Sequence, residues 1–186
     1  VWAKEHVRQF LDYAYANYEY RSIGLIVQMA YEWCLGVGDM RVLEWSSIDF
    51  NNKRLDLVQS KRGASVHLPI SDGLLEMLEE QRDDFDFQKY VVPMPTPRDG
   101  EYIPFSMERL SKIGRKIMRQ AELPEELRLM DLRRTGTTEM VEAGVPLPQI
   151  MSVTGHANPQ SVKPYIKNTY LSANSALTAR QQFKEE

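Results

Sequence analysis

The sequence predicts a mainly helical α+β domain that carries a small three-stranded antiparallel sheet. Apolar residues recur at the three- and four-residue spacing of amphipathic helices before residue 45 and again after residue 70. Between these regions, short strand-like runs alternate with turn residues at Asn51-Asn52 and Lys61-Arg62-Gly63, which is typical of a β-meander. No internal repeat or long linker divides the sequence, so residues 1–186 are expected to form a single domain.

The first part of the chain predicts three helices. The first runs from Lys4 to Tyr18 with one apolar face. The second runs from Ile23 to Leu35 and is apolar nearly all round, so it is expected in the core, with Gly36-Val37-Gly38 ending it. A short third helix runs from Asp39 to Trp45, with Asp39 as its expected N-cap.

The remaining elements follow from changes of hydrophobic period and from cap residues. The strands are expected at 47–50, 54–58 and 65–70. Further helices are expected at 74–81 behind an N-cap at Ser71 or Asp72, and at 106–120, 131–143, 146–153 and 161–165. Gly144 is expected to end the helix before it, and the polar tail 172–183 also has a helical pattern.

Bulk composition is that of a globular protein, with 42% hydrophobic and 26% charged residues. No run approaches the ~18 apolar residues that a membrane span needs. The single cysteine, Cys34, excludes an internal disulfide framework and any cysteine-based zinc cluster, and it favours a reducing cytoplasm. No metal or cofactor is expected. The chain begins Val1-Trp2 without Met, so we expect a fragment of a longer polypeptide.

The charge distribution weakens a nucleic-acid interpretation without excluding it. The net charge is −3, whereas nucleic-acid binders are commonly basic. Binding a phosphate backbone requires a local cationic surface rather than a cationic total. Basic residues cluster at 61–62, 112–119 and 128–134, and acidic residues cluster at 76–86 and 122–126.

One constellation in the second half of the chain carries the chemistry. The stretch from Leu129 to Thr135 contains Arg133, and it is followed by Thr154-Gly155-His156 and then by Tyr165. Taken alone, each piece is typical of ordinary structure, because arginines usually lie on solvated helix faces and tyrosines usually pack. Their order and spacing together are much harder to obtain by chance.

This stretch resembles the C-terminal signature of the tyrosine recombinases, the phage-integrase type of enzyme, in which His-x-Leu-Arg, Leu-Gly-His and a tyrosine follow in that order. The segment from Gly38 to Asp49 resembles the family's first conserved block, and Ser60 to Ile70 resembles its lysine-bearing β-hairpin. The resemblance spans about residues 7–176 and implies the family's catalytic-domain fold and site-specific DNA recombination without metal or cofactor. The family's N-terminal DNA-clamping domain has no counterpart here, in keeping with a fragment.

The resemblance assigns the nucleophile and the acid. Tyr165 is expected to attack a DNA phosphate and form a 3′-phosphotyrosyl bond, and Tyr170 is a less well placed alternative. Lys61, at the tip of the hairpin, is expected to protonate the departing 5′ oxygen as general acid. The alternative for Lys61 is a turn lysine without a catalytic role.

The resemblance also assigns the groups that hold the phosphate. Arg133 is expected to fork onto two phosphate oxygens, whereas Arg134 is interpreted as a helix-surface residue. His156 is expected to donate a hydrogen bond to a non-bridging oxygen, with a purely structural histidine as the alternative.

Two departures from the family's pattern bear on activity. Gly36 stands where the family has its first catalytic arginine, and Arg41 is expected on a different helix face. Met130 stands where the family usually has a histidine, and a thioether cannot donate a hydrogen bond to phosphate. Losing a charged clamp on the transition state costs about 100-fold or more in rate. The chain is therefore expected to bind DNA but to cleave it poorly.

Three hypotheses of function remain at this stage: a recombinase of a phage or other mobile element, a catalytically lapsed relative that only occupies DNA, and a helical regulator with accidental motif matches. Gly36 favours the second hypothesis, whereas the retained Lys61, Arg133, His156 and Tyr165 favour the first. A covalent DNA adduct that disappears with Tyr165→Phe distinguishes them.

The expected partners follow from the same resemblance. They are double-stranded DNA and, on DNA, three further copies of the chain in a homo-tetramer that is weakly associated or monomeric without DNA. The tail 172–186 is expected to pack onto a neighbouring subunit, and the basic helix 106–120 either contacts DNA or is simply solvated. The expected location is the cytoplasm of a bacterial host, at the nucleoid and away from any membrane.

Overall fold

A computed structural model describes residues 1–58, 65–155 and 170–185, with the side chains of 170–172 left out. The described residues form a mainly helical fold with one small sheet, as the sequence predicts. The helices are α1 Lys4–Tyr15, α2 Arg21–Trp33, α3 Val37–Met40, α4 Asp72–Phe85, α5 Met107–Gln120, α6 Leu132–Glu142, α7 Leu147–Thr154 and α8 Tyr170–Glu185. Short 3-10 turns lie at Tyr18–Tyr20, Trp45–Ser47 and Leu129–Asp131.

The sheet is the predicted antiparallel meander. Its strands are β1 Ile48–Asp49, β2 Arg54–Val58 and β3 Ser65–Pro69, in the order β1-β2-β3. Leu55 pairs with Leu68 on the core side, where both are buried, and Asp56 pairs with His67 on the open side. Because the period of side-chain direction is two, this register places Val66 and Leu68 of β3 inward.

The core is built around α2, which is buried along nearly its whole length and packs on α1, α4 and α6. Its predicted end was wrong. The helix ends at Trp33, two residues before the predicted Leu35, and its C-cap Cys34 adopts the left-handed conformation at φ 54°, whereas Gly36 has an ordinary φ of −72°. Glycine is the usual residue at a left-handed helix end, so a cysteine in that position gives no recognisable signal in the sequence.

The N-cap of α4 is Ser71, one of the two predicted residues, whereas Ser106, predicted as the first residue of α5, is its N-cap. Leu74 N donates to Ser71 Oγ at 3.2 Å, and Arg109 N donates to Ser106 Oγ at 3.1 Å. Each serine hydroxyl thereby satisfies one of the unpaired amides at a helix start. Gly144, at φ 80°, follows α6 as predicted.

Two boundaries in the N-terminal part differ from prediction. The first helix ends at Tyr15 rather than at Tyr18, because the side chain of Asn17 accepts from Glu19 N and starts a separate 3-10 turn. The short helix predicted from Asp39 to Trp45 is replaced by α3, Val37–Met40, whose N-cap residue is Gly36, and Trp45 begins a separate 3-10 turn. Asp39 lies in its first turn instead, where a carboxylate favours the helix dipole without capping it.

The helix predicted at 161–165 and the turn predicted at 61–63 lie outside the described residues. Within the residues that the structure describes, every helix is too short or too polar to cross a membrane.

Candidate active site

Arg133 lies in the first turn of α6, and its guanidinium reaches across to the end of α7. Nη2 donates a hydrogen bond to the carbonyl oxygen of Thr154 at 2.9 Å. Buried Leu132, next to it in the sequence, anchors the start of α6 in the core. The carbonyl end of a helix carries partial negative charge, which favours a guanidinium at this position. The arginine is therefore held half-buried between two helices.

The end of α7 is a sharp left-handed turn that starts immediately beyond this contact. Gly155 has φ 72° and donates its N–H to Met151 O at 2.9 Å. Thr154, which is fully buried, donates its hydroxyl to Ile150 O. His156 is the next residue, and it lies outside the described residues together with Tyr165. Their assignment stays a prediction.

At Cys34 the end of α2 packs against α6, the helix that carries Arg133. A Cβ added at Gly136 would lie 2.6 Å from Cys34 Sγ and 2.7 Å from the backbone oxygen of Tyr31, so the helices touch at a point where only glycine fits. Burial raises the pKa of the Cys34 thiol to about 11, and the Glu139 carboxylate adds to the rise, whereas Arg133 opposes it. The thiol is protonated at neutral pH and acts as a packing group.

A hydrogen bond from Tyr31 to Glu139 closes the same helix pair. Tyr31 Oη donates to both carboxylate oxygens, at 2.7 and 3.0 Å. Burial raises the pKa of the Tyr31 phenol, and the hydrogen bond to the Glu139 carboxylate raises it further. The phenol therefore remains a proton donor to this carboxylate over the whole neutral range.

Gly36 is the N-cap of α3 and lies two residues beyond Cys34. Its φ and ψ of −72° and 142° suit any side chain. A Cβ built there meets only Asp39 Oδ2 within 4 Å, at 3.9 Å. Neither the local backbone nor the described atoms around the Cβ position demand glycine, so a side chain can begin here without backbone strain.

The guanidinium of Arg41 is turned toward the start of α5, so Arg41 does not substitute for the arginine that the family has at position 36. Its Nη1 donates to the backbone oxygen of Phe105 at 3.0 Å, at the start of α5. Its Nε is buried without a hydrogen-bond partner among the described residues. The expectation that Arg41 occupies a different face agrees with this contact.

The side chains of Met130 and Arg134, which flank Arg133 in the sequence, are both exposed to solvent. Met130 is 69% exposed, an unusual exposure for a large apolar side chain. Arg134 is exposed as well, which agrees with its interpretation as a surface residue. Arg133 is thus the member of the Arg133-Arg134 pair that points toward α7.

Lys61 is the remaining predicted site residue, and residues 59–64 lie outside the described residues. The last described pair of the hairpin is Val58 with Ser65. The lysine belongs to the segment that joins these two residues, and its role as general acid stays a prediction.

Trp2 supports the region around Arg133 through two hydrogen bonds, although no sequence pattern singled it out. The indole Nε1 of Trp2 donates to Arg128 O at 2.8 Å, and the backbone N of Trp2 donates to Thr135 Oγ1 at 3.0 Å. Trp2 thereby holds the strand-like segment before the arginine helix and the helix itself. No local pattern signals these contacts, since they join residues more than a hundred positions apart.

A basic surface on α5, the "α5 basic face", lies elsewhere on the molecule. It consists of Arg109, Lys112, Lys116 and Arg119, which with Ile113 and Gln120 line a shallow depression of about 410 Å³. The helix is attached to α1 by a 2.7 Å hydrogen bond from Tyr13 Oη to Gln120 Oε1. Within the part of the chain that the structure describes, no group of three or more His, Cys, Asp or Glu side chains could hold a metal ion.

Comparisons with known proteins agree with this arrangement. The model of the "Phage integrase family" matches residues 1–171. The XerA recombinase structure is 15% identical, with a TM-score of 0.71 over 96% of this chain and 62% of XerA. A lambda integrase dimer bound to a COC′ core site is 17% identical, with a TM-score of 0.67 over 89% of this chain and 47% of that one.

The catalytic domain of bacteriophage HP1 integrase is 16% identical, with a TM-score of 0.62, and the match covers 94% of this chain and 92% of that domain. The chain therefore spans less than two thirds of the XerA chain but nearly all of the HP1 domain. Among proteins of curated function, no sequence matches.

Proposed function

Because the chain belongs to the phage integrase family, we propose that it is the catalytic domain of a site-specific recombinase that cleaves and rejoins DNA through a 3′-phosphotyrosyl intermediate. The observation that carries the proposal is the placement of Arg133. Its guanidinium is fixed at the end of α7, one residue before the turn that leads to His156. A fixed, half-buried guanidinium at such a turn is suited to grip a phosphate.

The proposed reaction needs neither metal nor external energy. The phenol oxygen of Tyr165 bonds to phosphorus as the bond from phosphorus to the 5′ oxygen breaks, and the phenol proton passes to solvent. Lys61 gives a proton to the leaving 5′ oxygen. Arg133 and His156 stabilise the charge on the non-bridging oxygens. Attack by a 5′ hydroxyl on the phosphotyrosyl bond rejoins a strand and frees the tyrosine.

In this proposal the chain cleaves DNA slowly, because Gly36 stands where the family has a catalytic arginine. The site lacks a cation at that position, and a missing preorganised donor costs about 100-fold in rate. The space around Gly36 and its ordinary backbone angles mean that a side chain can begin at this position without backbone strain. Gly36 also favours a second candidate function, a lapsed relative that occupies DNA sites without cutting them.

A covalent-trapping assay tests the proposal. Nicked duplexes with a randomised sequence around the nick trap a protein–DNA adduct, because the short cleaved fragment diffuses away and rejoining stops. We expect a slow adduct with the unaltered chain and about 10- to 100-fold faster formation with Gly36→Arg. Tyr165→Phe is expected to remove the adduct in both backgrounds, because the phenylalanine ring has no oxygen with which to bond phosphorus.

The outcomes separate the candidates. DNA binding without an adduct from any variant, Gly36→Arg included, contradicts cleavage and leaves the lapsed DNA-binding protein. An adduct that survives Tyr165→Phe but disappears with Tyr170→Phe moves the nucleophile to Tyr170.

The proposed partners follow from the same assignment. The α5 basic face supplies a local cationic surface for the backbone of double-stranded DNA, despite the net charge of −3. On DNA we propose a homo-tetramer in which the tail 172–186 packs on a neighbouring copy, with weak association or a monomer when DNA is absent. We further propose that residues 1–186 are one domain of a longer recombinase of a phage or mobile element, which acts in the bacterial cytoplasm at the nucleoid.

A further inference from the structure

Residues 34–37, the segment that contains Gly36, have neighbours close in the sequence to Arg133 at one end and Arg128 as a neighbour at the other. At one end, Cys34 packs against α6 at Gly136, within one helical turn of Arg133. At the other end, Val37 lines a small depression of about 100 Å³ together with Arg128. Gly36 therefore belongs to a short segment that contacts α6 near Arg133 at one end and lines the Arg128 depression at the other.

The depression itself is apolar apart from two arginines and one serine. Its other lining residues are Leu110, Ser111, Arg115, Met118, Leu129 and Met130. Met130 is largely exposed and presents no polar atom that could hydrogen-bond strongly to an anion. Binding of an anion at this depression would therefore depend on its arginine side chains.

Arg115 is engaged in holding the backbone. Its Nη1 donates to Glu125 O and its Nη2 donates to Leu127 O, both at 2.8 Å. These bonds fix the residues that lead directly into Arg128. Because both terminal nitrogens are occupied by carbonyl oxygens, Arg115 is a support and not the anion ligand.

Arg128 combines a fixed backbone with an exposed side chain that has no neutralising partner. Its carbonyl oxygen accepts from Trp2 Nε1 at 2.8 Å, and the carbonyl before it accepts from Arg115. Its side chain makes no hydrogen bond or ion pair with any residue that the structure describes. Such a guanidinium is well placed to bind an anion with little loss of backbone entropy.

We propose that Arg128 supplies the second guanidinium for the scissile phosphate, in place of a cation at position 36. The inference rests on the proposed function, since it concerns the same phosphate. Arg128 reaches this phosphate from the depression that Val37, the neighbour of Gly36, also lines. Arg41 cannot serve, because its guanidinium is turned toward Phe105.

The first test needs no cleavage. The full ¹⁵N-labelled chain is titrated with inorganic phosphate while the side-chain Nε–H signals of its arginines are followed. We expect Arg128 and Arg133 to shift on one saturation curve, and phosphate affinity at Arg133 to fall about five-fold or more in Arg128→Gln. The matched control is Arg134→Gln, at an exposed arginine in the first turn of α6, and it is expected to change affinity by less than about two-fold.

The second test uses adduct formation as a double-mutant cycle. Arg128→Gln is expected to slow the adduct about 10-fold or more, and Gly36→Arg is expected to accelerate it more in the Arg128→Gln background than in the unaltered chain. The larger acceleration in the Arg128→Gln background is expected if an arginine at position 36 and Arg128 can each supply the same cation.

The outcomes are separable. A stationary Arg128 signal, an unchanged phosphate affinity at Arg133 in Arg128→Gln, or equal gains from Gly36→Arg in both backgrounds overturns the assignment of Arg128. If no variant forms an adduct, cleavage itself is wrong, and the phosphate titration alone decides whether Arg128 is an anion ligand.

Discussion

At the scale of single residues, two glycines in the site region have opposite environments. Gly136 is crossed by the end of α2 so closely that a Cβ would lie 2.6 Å from Cys34 Sγ and 2.7 Å from a backbone oxygen. Gly36 has nothing nearer than 3.9 Å. The first glycine is required by packing, and the second is free to be replaced.

Gly136→Ala is expected to lower the free energy of unfolding by about 1–3 kcal/mol, because the backbone oxygen of Tyr31 cannot move without shifting α2. Urea denaturation measures the change. The matched control is Gly73→Ala on α4, where nothing lies within 4 Å of the added Cβ. That variant is expected to be neutral or up to about 1 kcal/mol more stable. Equal stability of both variants with the unaltered chain would contradict the packing at Gly136.

The sequence predicts the neighbourhood of Arg133 better than the distant contacts that support it. The order of Met130, Arg133 and the Gly155 turn along the chain is local information, and the structure places Arg133 beside that turn. The contacts of Trp2 are different, because each joins it to a residue more than a hundred positions away. Such pairings depend on how the helices pack, which no short pattern encodes.

At the scale of elements, the acidic helix α4 is held by one buried cation. Arg21, 6% exposed, donates to Gln81 Oε1 and to Asp84 Oδ2, each at 2.7 Å, and lies 3.5 Å from Glu80. Gln81 is fully buried and also donates to Ser22 Oγ and Val91 O. Part of the acidic cluster seen in the sequence is therefore structural.

Arg21→Ala is expected to cost about 2–4 kcal/mol of stability, because it strands Gln81 Oε1 in the core and removes the partner of Asp84. Thermal and urea unfolding report the loss. Lys89→Ala provides the comparison, since its 3.7 Å pair with Glu44 is exposed on both sides and is expected to contribute under about 1 kcal/mol. A loss of stability in Arg21→Ala as small as that in Lys89→Ala would contradict a stabilising role for this network.

Helix starts were predicted more accurately than helix ends. A serine before a helix satisfies a free amide, so Ser71 and Ser106 signal their own role. The end of α2 is set instead by the approach of α6 to Cys34, a tertiary effect that overrides the nearby glycines.

At the scale of the whole molecule, the last helix stands apart from the core. Every described side chain from residue 173 to 185 is exposed, including Leu177 at 63% and Phe183 at 77%. A helix that buries none of its described side chains contributes little to the stability of the fold.

Deleting residues 175–186 is therefore expected to leave the melting temperature of the isolated chain within about 2 °C of its original value. If α8 packs on a neighbouring copy, the same deletion is expected to reduce assembly on duplex DNA, which sedimentation of the protein–DNA mixture measures. Phe183→Ser is a milder variant with the same expected direction. Undiminished assembly by the truncated chain would contradict packing in trans, and a large fall in melting temperature would mean that α8 packs on its own core.

The two hydrogen bonds of Trp2 have a mechanical consequence. One ends on the carbonyl of Arg128 and the other on the hydroxyl of Thr135, which itself donates to Asp131 O at 2.8 Å. The indole is 2% exposed, so it cannot slip without opening the core. A pull on the chain at its first residues is thus transmitted to both flanks of Arg133 at once, because Trp2 joins the chain before α1 to Arg128 and to Thr135 of α6.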